Sequence, residues 1–306
     1  MIQYDSLATI VIDSNTDTPA DTSALEVDLV PTKEQVAEKE FRHDLAFAQY
    51  LMSYELYRDA QFLLDQLCSN QIVAKNQLDS ALYYKAWLQY FSQDFDQALY
   101  TVQEIDSNSA IYVSSMFLSA MCFLEIKDYD ESKLVYSKIP FGLNETQQAI
   151  KGLNLAGIAL LERDYAKYDS IAATLPQNNF SIASSIESLA GYKIDMISYK
   201  RKSAFLAGLL SAIVPGLGKY YVGYRGTPFG ALTLNLPLLA ITIETLIISG
   251  WTGIPFLIAA PFFGVFYVGN IWGSALSAYA HEKEFYAEMD HNILYDLHIP
   301  VRRLLK

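Results

Sequence analysis

Gln93-Asp-Phe-Asp-Gln-Ala98 and Lys127-Asp-Tyr-Asp-Glu-Ser132 follow one pattern, and Arg163-Asp-Tyr165 begins it again. Extended outward, the pattern sets Tyr57, Phe95, Tyr129 and Tyr165 at spacings of 38, 34 and 36 residues. A fixed period in this range is the mark of a stacked repeat. Nine residues before each aromatic stands an alanine: Ala48, Ala86, Ala120 and Ala156. Three residues after stand Ala60, Ala98, Ser132 and Tyr168, and seven after stand Leu64, Val102, Tyr136 and Ala172. The register describes two helices per unit. A small residue in the first helix lets the second approach, the aromatic plugs the turn between them, and the small residue three later faces inward.

Caps set the limits of this region. Thr32-Lys-Glu-Gln35 is a capping box that opens the first helix, and Asn144-Glu-Thr-Gln147 opens the fourth unit. Residues 1–31 are acidic, rich in turn formers and without helical period, which predicts a flexible arm. Ser181–Tyr199 reads as a capping helix, so residues 32–199 form an α-helical array of four units plus a cap. The register resembles the tetratricopeptide repeat family over about Lys33–Pro176. The resemblance implies a helical solenoid that receives a protein or peptide partner in its groove. Tyr168 departs from it, because the family has a small residue there.

The rest of the chain differs in kind. Residues 1–198 carry 13 Lys and Arg against 28 Asp and Glu; residues 199–306 carry 9 against 6. The acidic front half argues against nucleic acid, which demands a basic face. From Ser203 to Ala280 only Lys219, Arg225 and Glu244 are charged. A bilayer needs about 20 apolar residues per helix. Residues 229–249 and 254–274 meet that length, and Ser249-Gly-Trp-Thr-Gly253 makes a turn with an interfacial tryptophan. They predict a transmembrane hairpin within a membrane module spanning 200–280. Before it, Ala204–Val214 is apolar but short, and Pro215-Gly-Leu-Gly218 interrupts it. Proline and glycine there predict a broken, re-entrant or interfacial helix that packs on the hairpin. Residues 281–306 read as an amphipathic tail.

Pro215, Gly216, Gly218, Tyr221 and Gly223, followed by Gly230 and the apolar hairpin, resemble the two-helix TM2 module and related bacterial envelope proteins. The resemblance covers about 200–280 and implies a membrane location. Asn270 stands near a position where that family often carries an acid.

Signs of chemistry are few. Glu244 lies about 10 Å from the Trp251 interface, where a charge is costly unless paired or neutralised. Pairing with Lys219 or Arg225 would make an ion or proton site; a structural hydrogen bond or snorkelling is the plainer reading. Asn235 and Asn270 are the other intramembrane polar candidates. Cys68 and Cys122 lie on apolar helices of non-adjacent units, which predicts two buried thiols without a disulfide. His281, His291 and His298 lack the spacing of helical metal ligands and read as a solvated face. The sequence has no phosphate loop, nucleophile elbow or zinc-protease motif, so it predicts a non-enzyme without a cofactor or metal.

The expected role is therefore a membrane-anchored protein-interaction scaffold at a bacterial inner membrane. The alternative is an accessory part of a transport, secretion or insertion machine that works through Glu244. Lys200, Arg201, Lys202, Arg302, Arg303 and Lys306 flank one side of the hairpin, and the positive-inside rule puts that side in the cytoplasm. A third crossing by Ala204–Tyr221, or an export signal upstream of Met1, would put the repeats outside.

Overall fold

The computed structural model describes residues 33–69, 74–139 and 142–305. The expected arm over 1–31 and the Thr32 side of the first capping box lie outside the described residues. Among the described residues the chain is all-α, with thirteen α-helices and a closing 3-10 turn.

The first eight helices pack as consecutive pairs. They are α1 (Lys33–Ser53) with α2 (Tyr57–Cys68), α3 (Lys75–Phe91) with α4 (Phe95–Gln103), α5 (Tyr112–Glu125) with α6 (Tyr129–Lys138), and α7 (Glu145–Leu161) with α8 (Tyr165–Ala172). A single helix, α9 (Ala183–Ser198), follows. Tyr57, Phe95, Tyr129 and Tyr165 are each the first residue of the second helix in a pair.

The turn before each aromatic is built the same way four times. Glu55, Gln93, Lys127 and Arg163 adopt φ of 60° to 64°. This left-handed residue closes a Schellman turn. In the second pair Gln93 N donates to Tyr90 O (3.0 Å) and Asp94 N to Gln89 O (2.9 Å); Lys127 with Asp128 and Arg163 with Asp164 repeat the pattern. The aspartate then caps the next helix. Asp94, Asp128 and Asp164 accept from Gln97 N, Glu131 N and Lys167 N at 3.3, 3.1 and 3.0 Å. Three residues thus end one helix and start the next, which explains why an Asp-aromatic string recurs.

The small residues stand where close packing requires them. Ala48, Ala60, Ala86, Ala98, Ala120 and Ala156 have no exposed surface. Ser132 is equally buried, and its hydroxyl donates to Ala120 O at 2.9 Å. Tyr168 is buried despite its size, with Lys193 of α9 lying over its ring. The Asn144–Gln147 capping box forms as the sequence predicts.

Beyond α9 come α10 (Ala204–Ile213), α11 (Leu217–Val222), α12 (Thr227–Ser249) and α13 (Ile254–Arg302). Both α12 and α13 contain a window long and apolar enough to cross a membrane, and only 6% of either window is buried within the protein. The sequence reading ended the second apolar helix near 274 and set 281–306 apart as a tail with a solvated histidine face. The structure differs: α13 is one helix of 49 residues, about 74 Å long. Ser274-Ala-Leu-Ser-Ala-Tyr-Ala-His281 has no glycine or proline, so nothing there stops a helix when its surroundings change.

Candidate functional site

The chain's own α13 lies against the face lined by the first helices of the later pairs. Met289, Ile293, Leu297 and Val301 recur every four residues along α13 and are all buried. Such a stripe lies along one side of a helix. It packs against α5, α7 and α9, and His298 reaches α3.

Contact partners define how α13 sits. Tyr199, just after α9, stacks on Phe285 at 4.2 Å, while Arg303 donates to Ser181 O, just before α9, at 3.0 Å. So α13 runs antiparallel to α9. Arg163, in the turn after α7, pairs with Asp290 at 2.7 Å and lies over the Tyr286 ring. Further along, a Cβ on Gly157 would come within 2.5 Å of the Leu297 side chain. Gly157 is therefore the residue that lets α13 approach α7. Asp296 is held twice: its carbonyl accepts from Ser185 (3.0 Å) and its carboxylate from Tyr192 (2.7 Å).

His298 is half-buried among aromatic rings rather than on a solvated face. Its ring stacks on Tyr90 with centroids 5.3 Å apart, and Trp87 and Phe91 meet it edge-on. The Tyr90 hydroxyl donates to Glu125 Oε1 at 2.9 Å, which leaves its oxygen to accept from the His298 Nδ1–H at 3.1 Å. Burial, and then the positive charge of Arg302, depress its pKa from 6.5 to about 4. The ring is thus neutral at pH 7. The sequence holds the signal for this docking in the four-residue spacing of Met289 to Val301, but not its address.

At the other end of α13, the glycine-rich element forms a compact corner. Gly216 (φ 91°) separates α10 from α11 in a conformation that side chains disfavour. Gly218 packs against the Ala207 carbonyl with no room for a Cβ, and its N–H donates to Ser211 Oγ at 2.9 Å. Ser211 in turn bonds Ser274 of α13 at 2.7 Å. Tyr221 accepts from Ser203 N at 3.4 Å, and Lys202 lies over its ring. Gly223 (φ 128°) ends α11 near the His281 ring. Pro215 precedes the turn, while Gly230 faces open space.

The structure separates the three polar candidates of the apolar region. Asn235 and Asn270 are buried; their amide nitrogens donate to Ala231 O (2.8 Å) and Ser211 O (3.4 Å). Both residues line a cavity of about 650 Å³ beside Lys219 and Gly230. Glu244 instead faces outward from α12, and among the described residues no ion pair joins it to Lys219 or Arg225.

Cys68 is partly buried and Cys122 fully so, both as free thiols. Burial pushes the Cys68 pKa up to about 11 and that of Cys122 higher still, which suppresses the reactive thiolate. Among the described residues no three His, Cys, Asp or Glu side chains gather as a metal site.

Comparison with known proteins finds no family model, no curated protein and no solved structure that matches this chain.

Proposed function

We propose that the protein is a membrane-anchored interaction scaffold of a bacterial inner membrane, with a tetratricopeptide-like solenoid held on a TM2-like hairpin. The observation that carries this reading is the exposure of α12 and α13. Their apolar windows are 6% buried, and apolar surface on that scale is not left in water. A bilayer is the solvent that suits it. The last half of α13 then ties the solenoid to the membrane as one continuous helix.

The chain's own helix fills much of the solenoid groove, which narrows the room for a protein or peptide partner. The open end of the row supports one. Phe47 and Tyr50 of α1 and Tyr54 just after it form a run of neighbouring rings, each about half exposed or more. In the repeat register Phe47 matches Lys85 and Tyr50 matches Leu88, residues of α3 that line the junction with α2. Among the described residues no pair precedes α1 to cover that side. A photo-crosslinker at Tyr50 in native membranes tests the partner, with carbonate extraction testing the anchor. Release by carbonate, or no reproducible adduct, counts against the scaffold.

A second reading, an accessory to transport, secretion or insertion, draws support from Glu244. A carboxylate on the outer side of a membrane helix is costly unless a neighbour meets it. Glu244→Gln in the native host tests it; unchanged growth and abundance would remove its basis. The side of the membrane is read by single cysteines at Ser69 and Thr252 in a chain lacking Cys68 and Cys122. The cytoplasmic assignment expects an impermeant maleimide on spheroplasts to leave Ser69→Cys unlabelled.

A further inference from the structure

A groove runs between α10 and α13 at the edge of the apolar region, with a volume of about 470 Å³. Its floor is made by small residues, Gly208 and Ala212 of α10 and Ala275 of α13. Its walls are large apolar side chains that stand exposed on both sides, Phe205 and Leu209 opposite Trp272 and Leu276. The two helices are antiparallel here. Gly208 lies against Ala275 and Ile271, and the Tyr267 hydroxyl donates to Ala212 O further along.

That direction fixes which end of the groove is charged. Lys200, Arg201 and Lys202 immediately precede α10, so they sit at the Tyr279 end. Arg201 confirms the position, with its guanidinium over the Tyr279 ring and its Nε 2.8 Å from Glu282. The side chain remains 62% exposed. A guanidinium carries five N–H donors, so this pair leaves capacity for an anion. Lys200 is exposed and has no ion pair among the described residues. Lys202 is engaged with Tyr221, and the nearby Glu284 accepts from Tyr224. The result is an apolar trough headed by a lysine unpaired among the described residues and by an arginine whose one carboxylate partner leaves N–H donors free.

We propose that this groove binds one anionic phospholipid, with an acyl chain on the small-residue floor and the phosphate at Lys200 and Arg201. The proposal rests on the membrane reading above and adds a lipid class and a site. An apolar peptide would match the trough but leave the basic head unmatched. A free phosphate would match the head and not the trough. The volume suits a ligand of this kind, since small-molecule sites span about 300–1,000 Å³.

The full chain, purified in detergent, is offered equal amounts of phosphatidylglycerol and phosphatidylcholine with identical acyl chains. Native mass spectrometry then counts the lipid retained. Phosphatidylglycerol should be favoured by about fivefold or more, the effect of roughly one basic contact at a membrane surface. Lys200→Gln with Arg201→Gln should bring the ratio to parity, while Lys200→Arg with Arg201→Lys should keep it. A photoactivatable acyl chain on the wild-type protein, which needs no variant to fold, should crosslink at Leu209 and Trp272 well above Ile247 on the outer side of α12. Equal retention of the two lipids, a preference that survives the double glutamine variant, or crosslinks spread evenly over α12 would overturn the site. A chain that stays in solution without detergent would sink the membrane reading itself.

Discussion

The two halves of α13 are equally helical and differ in what surrounds them. From Ile254 to about Tyr279 its large apolar side chains are mostly exposed, as at Val265, Val268 and Trp272. From Met289 to Val301 the stripe of Met289, Ile293, Leu297 and Val301 is buried, and Asp290, Asp296 and His298 make specific polar contacts. The first half is apolar all round, as a helix is when lipid is its solvent; the second has one apolar stripe, as a helix is when protein covers one side. Hydrophobicity alone does not report burial. The arrangement of apolar residues around the helix does.

The sharpest way to break that comparison is one substitution made in each half. Leu297→Ala removes a buried side chain and should destabilise the docked helix by about 2–5 kcal/mol. Hydrogen exchange of residues 289–301 and the thermal midpoint of the full chain read it. Leu257→Ala, on the exposed half, should change stability by no more than about 0.5 kcal/mol. Equal effects would show that the two halves do not differ as described.

The approach of α13 to its receptor face can be tested from the other side. Gly157→Ala places a methyl group against Leu297 and should cost about 1–3 kcal/mol, with faster exchange in 289–301. Ala86→Leu should cost a similar amount by overpacking the second pair, but without selectively freeing α13. A thermal melt that does not move for Ala86→Leu would show that the repeat register is misplaced.

Acid should weaken the docked half and not the exposed apolar half. The folded pKa of His298 lies below the value of 6.5 it has when exposed, at about 4. Between those values the undocked chain binds the extra proton. Stability is therefore full above pH 6.5 and falls as the pH drops toward 4. The loss should be about 1–2 kcal/mol, less than the full shift implies because the ring is partly solvated. His298→Phe should flatten the dependence of 289–301 exchange over that window. A slope that persists in the variant would assign the titration to another group.

The smallest effect concerns the turns. Asp128→Ala removes a side-chain cap and should cost about 1 kcal/mol. The first pair offers an internal control, since Leu56 occupies the cap position there without a side-chain bond. Leu56→Asp should stabilise that pair by up to about 1 kcal/mol, read as a rise in thermal midpoint.

Much of the row of pairs was legible because its signals are local. Ala86, Phe95 and Ala98 lie within twelve residues of one another, and the turn between them is closed by backbone bonds within six. The broken α10–α11 element was legible for the same reason, through Pro215 and Gly216. Glu244 was legible as an odd residue, but which way it faces depends on the rotation of α12 against α13. Asn235 and Asn270 show the reverse case: the same polar amide, turned inward by that rotation.

By itself, the sequence determined the pair register, the place of the turn within each pair, and the presence of two long apolar helices. Local sterics, hydrogen bonding and side-chain hydrophobicity decide these, and they act over a few residues. Only the tertiary structure decided that α13 continues past the apolar region and lies against α7 and α9. It also decided that Gly157 makes room for Leu297 and that His298 stacks on Tyr90. An apolar stripe states that a helix needs cover, yet many surfaces could supply it. The choice among them is made by shape, and shape exists only once residues 140 and 208 positions apart in the chain have been brought together.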